Sequence, residues 1–359
     1  MGFGYKLQEY FHVFQLDFLN DYSTSIAVII CAFEIIMGIL LLFGIAANLV
    51  AWGLLLLILF FTFLTFYSAF FEVVTSCGCF GDAIPLTPWE SFIKDLILLA
   101  FILVIFIKRN KIYPLLKNSF GNNVVVLLTI ITSFGVGIYT VKYLPFIDFL
   151  PYKVGNHIPS LMKVPEGAAL DEYEIIYSLR NISTGESKTV NDKEYIESKI
   201  WEDKNWEIVG EPTSKLIKAG YKLPIPDLMI TDADGEEHTE NILTNPYYNF
   251  VVTSLDVNKM SVDDMVALDR INQTIKDISL SYNLRAVLLT ASAASDAEIV
   301  SNQLDLITET FFADLVPLKS MVRSNPGVLL MRDGIIINKW SKNNFPSKEA
   351  LIKTYFEEK

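Results

Sequence analysis

The chain has 359 residues, 52% of them hydrophobic, and a formal net charge of −12, with a mean hydropathy of +0.36. Residues 1–149 hold only 9 acidic and 7 basic side chains, so about −10 of that charge falls on residues 150–359. So acidic a second part excludes nucleic acid, whose phosphates would repel it, and argues against docking on anionic lipid. Three cysteines exclude a disulfide framework.

Residues 2–19 alternate polar positions with Tyr5, Tyr10, Phe11, Phe14 and Phe18. This predicts an amphipathic helix lying in a membrane interface. Met1 to Leu19 has neither a basic start nor an apolar run, so no cleavable signal is read there. About four spans follow, Ser25–Ile45, Leu49–Phe71, Phe92–Ile107 and Val124–Tyr143, each near the ~20 residues that cross ~30 Å of hydrocarbon. A tight Ala46-Ala47-Asn48 turn joins the first two. Lys94 and Asp95 read as an interfacial pair at the outer start of the third. Lys108, Arg109, Lys111 and Lys117 cluster between spans three and four, whereas residues 72–90 carry no Lys or Arg. The basic loop is therefore expected in the cytoplasm, with residues 72–90 and 150–359 outside.

After the spans, Pro145, Pro151 and Pro159 mark an extended linker, and residues 170–220 read as short strands of a small α+β segment. From Leu223 the pattern sharpens. A hairpin is expected at Asp232-Ala233-Asp234-Gly235, then a buried strand at Phe250-Val251-Val252 and a helix over Val262–Ser279. A second buried strand, Ala286–Leu289, precedes a helix near Ala297–Ile307. Two strands flank Arg332-Asp333-Gly334, and Ser347 caps a last helix. The domains expected are 1–149 (an all-α membrane bundle), 150–221 (linker and small α+β segment) and 222–359 (an α/β domain).

The chemistry concentrates in Cys77-Gly78-Cys79-Phe80-Gly81-Asp82. Two thiols one glycine apart can close a small strained ring, and strain makes a disulfide more oxidising. Two cysteines that merely pack a loop are the plain alternative. Cys31, about six residues inside the first span and roughly 9 Å deep, is a candidate resolving thiol or a small residue packed between helices. Glu34 is costly within a bilayer. It suits a proton or quinone role, or equally a hydrogen bond to a neighbouring helix. No metal site is indicated, since soft ligands would want two more Cys or His, and His157 and His238 lie far along the chain.

The order of elements after Leu223 resembles the thioredoxin fold in its TlpA-like, membrane-tethered branch. Ser324-Asn325-Pro326-Gly327-Val328-Leu329-Leu330-Met331-Arg332-Asp333-Gly334 looks like that fold's cis-proline segment and hairpin. The resemblance implies a cis bond at Pro326 and a peptide-binding groove beside Asn325 and Pro326. The departure is Leu255-Asp256-Val257-Asn258-Lys259-Met260, which stands without a thiol where the family has Cys-x-x-Cys. The membrane part resembles the DoxX/MauE group, through Glu34 with Gly38 and Gly44 and through Cys77-Gly78-Cys79-Phe80-Gly81. That group normally has one more helix ahead of a segment like Gly4-Tyr5-Lys6-Leu7. Resemblance to it implies a role in maturing disulfide-rich exported enzymes.

The leading expectation is thus a multi-pass bacterial inner-membrane protein with its C-terminal domain in the periplasm. It would be a thiol–disulfide oxidoreductase using Cys77 and Cys79, with the bilayer, exported clients or another redox protein as partners and a quinone as candidate electron acceptor. The alternative is a non-catalytic scaffold or assembly factor. A transporter centred on Glu34 is disfavoured by the few polar residues in the spans.

Overall fold

The computed structural model describes residues 2–74, 78, 81, 84 and 86–357. The amino-terminal part is helical: α1 (Gly2–Val13), α2 (Ser23–Leu42), α3 (Ala47–Phe71), α4 (Pro88–Lys108) and α5 (Ser119–Lys142). Among the described residues, three helical stretches (Asp17–Leu42, Ala47–Phe71 and Ser119–Lys142) are long and apolar enough to cross a membrane. α4 matches them in length but carries Lys94 and Asp95 inside. The helices pack side by side, α4 on α3, α3 on α2 and α2 on α5, with α1 laid on α2.

Two boundaries differ from expectation. The turn between α2 and α3 comes earlier, at Phe43–Ala46, where Gly44 (φ +66°) and Ala46 (φ +50°) reverse the chain. A Cβ on Gly44 would stand 2.3 Å from the Tyr113 carbonyl oxygen, so glycine is required there. α4 begins at Pro88 rather than Phe92. Thr87 and Glu90 form a reciprocal capping box, and proline occupies the first turn, where its missing N–H costs nothing.

Residues His157–Leu228 form a compact unit of their own. It holds α6 (Ile158–Leu161), β1 (Glu172–Asn181), β2 (Ser187–Asn191), α7 (Asp192–Glu197), β3 (Trp206–Ile208) and β4 (Thr213–Lys218). β1 is the hub, pairing antiparallel with β2, β3 and β4.

The carboxy-terminal part contains α8 (Thr239–Leu243), β5 (Tyr248–Ser254), α9 (Val262–Ser279), β6 (Leu284–Thr290), α10 (Ala294–Gln303) and β7 (Glu309–Phe312). It continues through α11 (Leu315–Met321), β8 (Gly327–Arg332), β9 (Ile335–Ser341) and α12 (Lys348–Leu351). Its five strands run in the order β7-β6-β5-β8-β9. β5, β6 and β7 are parallel, and β8 and β9 antiparallel to their neighbours. Parallel neighbours need helical crossovers, which α9 and α10 supply. α9 presents Leu268, Ile271, Ile275 and Ile278 at helical spacing, each no more than 2% exposed, against Phe250, Val252, Leu288 and Leu330 of the sheet. Each such side chain contributes roughly 1.5–3 kcal/mol by burial. The β8–β9 hairpin turns at Asp333 and Gly334, both at positive φ. The Asn325–Pro326 peptide preceding β8 is cis. This strand order, with a cis-proline ahead of the antiparallel hairpin, defines a thioredoxin-like fold.

The hairpin expected at Asp232–Gly235 is present in minimal form: its flanks meet at one antiparallel bridge, Thr231 with Glu237, and Thr231 bridges Phe312 on its other edge. Asp232 accepts backbone N–H groups of Asp234 and Glu236, and its carboxylate lies 2.8 Å from His238 Nε2. The His238 hydrogen bond, aided by these amides, holds the Asp232 carboxyl below its usual range. Together with Glu236 the pair brings three ligand-type atoms within 4.8 Å of one another, but its hydrogen bonds all serve the turn.

Candidate functional site

Cys77, Cys79 and Asp82 lie outside the described residues; Gly78, between the two cysteines, is described. Gly78 has φ +75°, and a Cβ placed on it would come 2.8 Å from Lys6 Cγ and 3.8 Å from the Phe3 ring. The thiol segment thus meets α1 at its central glycine. The same side of α1 is anchored in the bundle. Tyr10 is 3% exposed and packs with Phe61, Leu64 and Val74. Its hydroxyl is 2.9 Å from Ser68 Oγ, and the Phe3 ring lies 6.3 Å from that of Phe61.

The other side of α1 faces the thioredoxin-like part. Lys319 Nζ stands 4.5 Å over the Tyr5 ring, and the Arg323 guanidinium stands 5.4 Å from it. Burial pushes the Tyr5 hydroxyl up and the Lys319 ammonium down, with Arg323 opposing the first and Glu9 the second. Beside them a cavity of about 580 Å³ is bounded by Tyr5, Gln8 and Asp17 on one side and by Leu255, Asp256, Lys319 and Asn325 on the other. In a thioredoxin fold this is where the dithiol loop meets the cis-proline. Here the thiol-free loop is held by hydrogen bonds: Leu255 N–H to Asn325 Oδ1 at 3.0 Å, Val257 N–H to Ser292 Oγ at 2.8 Å, and Asn258 Nδ2 to Asp296 at 2.6 Å. The two halves are also joined at the end of α5, whose Lys142 carbonyl accepts from Ser341 Oγ and Asn343 Nδ2. Lys339, a buried residue of β9, donates to the Tyr152 and Met321 carbonyls at 3.0 and 3.1 Å and pairs with Asp148.

Within the bundle, α3 floors a cleft of about 190 Å³ that α2 and α4 flank. Apolar residues Leu54, Leu57, Ile58, Phe61, Leu98 and Ile102 line it together with Glu34, Lys94 and Asp95. Asp95 is 1% exposed. One of its oxygens pairs with Lys94 Nζ at 2.8 Å and the other accepts from Thr65 Oγ1 at 2.9 Å. Lys94 and Asp95 are therefore not a surface-seeking interfacial pair, as their sequence position suggested. With α4 starting at Pro88, Lys94 lies six residues, roughly 9 Å, inside the helix. The Thr87-Pro88-Trp89-Glu90 signature was the available signal. Glu34 is accessible at the cleft, and Cys31, one turn earlier on α2, is exposed instead of packed between helices.

The structure thus brings Gly78, α1 and the Asn325–Pro326 edge into one assembly, and Glu34 into a separate cleft with Lys94 and Asp95. The class so defined is a membrane protein with a helical bundle and a thioredoxin-like domain. Residues 7–108 match the family model described as methylamine utilisation protein MauE. Two solved structures align at 15% identity over 36% of this chain. One is the C-terminal domain of a Bacteroides thetaiotaomicron protein described as a thiol-disulfide oxidoreductase, covered over 88% of its length with a TM-score of 0.29. The other is a thiol peroxidase from Chromobacterium violaceum, covered over 81% with a TM-score of 0.27. No curated protein matches the chain.

Proposed function

We propose that this is a thiol–disulfide redox protein of a bacterial inner membrane, acting through Cys77 and Cys79 on the periplasmic side. The observation that carries this reading is the position of α1, which packs Phe3 and Lys6 on Gly78 and Tyr5 on Lys319 and Arg323 beside the cis-proline edge. One helix so links the thiol segment to the groove where a thioredoxin fold receives peptide. The labour is divided: the bundle carries the thiols, and the thiol-free domain keeps an exported client or a partner redox protein near them, raising its effective concentration. In the oxidising direction a client thiolate attacks the Cys77–Cys79 disulfide, a mixed disulfide forms, and a second client thiolate releases it. The client gains one disulfide and the pair is left as two thiols. The basic residues between α4 and α5 support the outward orientation of the thiols.

The test is the Cys77→Ser/Cys79→Ser double variant in its native host. Exported proteins that normally carry disulfides are expected to accumulate with free thiols, read by alkylation and gel shift. An unchanged thiol profile would favour a non-catalytic scaffold, the reading that the thiol-free Leu255–Met260 loop supports.

A further inference from the structure

A dithiol that oxidises clients must itself be reoxidised, and the bundle contains a cleft suited to the compound that would do it. We propose that the cleft between α2 and α4 binds the ring of a lipid-soluble quinone, which accepts the electrons of Cys77 and Cys79; this rests on the redox reading above. Four observations carry it. The cleft's floor, α3, and one wall, α2, are helices long and apolar enough to cross a membrane, and its volume of about 190 Å³ suits a one- or two-ring head group and not a whole lipid. Its polar lining is two acids and one base, which disfavours an anionic head group and suits a neutral ligand. That lining also matches both redox forms. The Lys94 ammonium can donate to a quinone carbonyl, and Glu34, which makes no hydrogen bond among the described residues, can accept from a quinol hydroxyl. Both Asp95 oxygens are engaged by Lys94 and Thr65, so Asp95 positions the lysine.

The fourth observation is adjacency. Phe61 lines the cleft, packs on Phe3 at 6.3 Å, and Phe3 in turn meets Gly78. One aromatic pair thus separates the glycine of the thiol segment from the quinone cleft. The step balances without another reagent. The two S–H bonds of Cys77 and Cys79 break and one S–S bond forms. Two electrons pass to the ring, and two protons end on its oxygens beside Lys94 and Glu34.

The experiment uses the full chain in lipid nanodiscs and a naphthoquinone with a short prenyl tail. Binding is measured first by calorimetry in the Cys77→Ser/Cys79→Ser variant, where no turnover occurs. Saturable binding is expected, weakened at least tenfold by Lys94→Met and by Leu57→Trp, which fills the cleft floor. A far-ultraviolet dichroism spectrum like that of the parent chain verifies that each variant is folded. Binding that Leu57→Trp leaves unchanged, or that a fatty acid displaces as readily as the quinone does, overturns the proposal. Next, the prereduced native chain is mixed with the same quinone and quinol is followed by absorbance. One quinol per disulfide is expected, with the rate lost in Leu57→Trp. Cleft binding without thiol-dependent quinol would overturn the electron transfer to the quinone, while the redox reading itself stands or falls on the client-thiol profile of the Cys77→Ser/Cys79→Ser variant. Thiol oxidation at full rate in Leu57→Trp would remove the cleft alone.

Discussion

At the scale of single residues, Lys339 shows what joins the two halves. Burial pushes its ammonium below the usual lysine range, and Asp148 opposes that shift. Asp148 lies in the segment following α5, so this ion pair fastens the end of the last membrane helix to β9 of the thioredoxin-like sheet. Replacing Asp148 by Ala would leave a buried cation with two carbonyl partners only. Loss of one member of a buried pair costs about 3–5 kcal/mol, and a drop of this size is expected in urea unfolding of the detergent-solubilised protein. A midpoint unchanged in Asp148→Ala would mean that the pair does not hold the halves together. Tyr5 makes the corresponding contact at the other side, where Lys319 and Arg323 cover its ring.

Among the elements, α9 was the most legible in the sequence and the cleft the least. The apolar repeat of period 3.6 over Val262–Ser279 predicts α9, and the structure adds Ser261 as its cap, in a capping box in which the Ser261 backbone N–H donates to the Asp264 carboxylate. Burial raises the Asp264 carboxyl, but hydrogen bonds from Lys342 and Ser261 outweigh it and hold it below the usual carboxylate range. The sign of the pH effect follows. A carboxyl depressed in the folded state contributes stability that is fully present above its unfolded value of about 3.9 and is lost as pH falls through the folded value. Asp264→Asn is expected to cost about 1 kcal/mol at neutral pH, and the gap between variant and parent should close below about pH 4. A gap independent of pH would contradict it. The Asp333-Gly334 turn was equally readable from its residue types. β7, four residues long, and α11, seven, were not, because so short an apolar run carries no period of its own. The cleft escaped because three helices build it laterally, and because the depth of Lys94 and Asp95 depends on where α4 begins. Four residues' difference in that start moves them from the interface into the bundle.

For the whole molecule, the sequence's split into an apolar half and an acidic half is a division between a helical bundle and a thioredoxin-like sheet, with His157–Leu228 as a further compact unit. The thioredoxin-like domain has a cis-proline edge and no cysteine, while the bundle's sequence carries two cysteines in a segment whose central glycine rests on α1. A protein so arranged is expected to use the pair for exchange and the domain for holding. The most direct test is the redox state of Cys77 and Cys79 in native membranes, trapped with acid at harvest and read with a mass-tagged thiol reagent before and after reduction. The pair should resist labelling until reduced and titrate as one two-electron couple near the poise of the oxidising compartment. Two thiols that label freely under oxidising conditions would contradict the account.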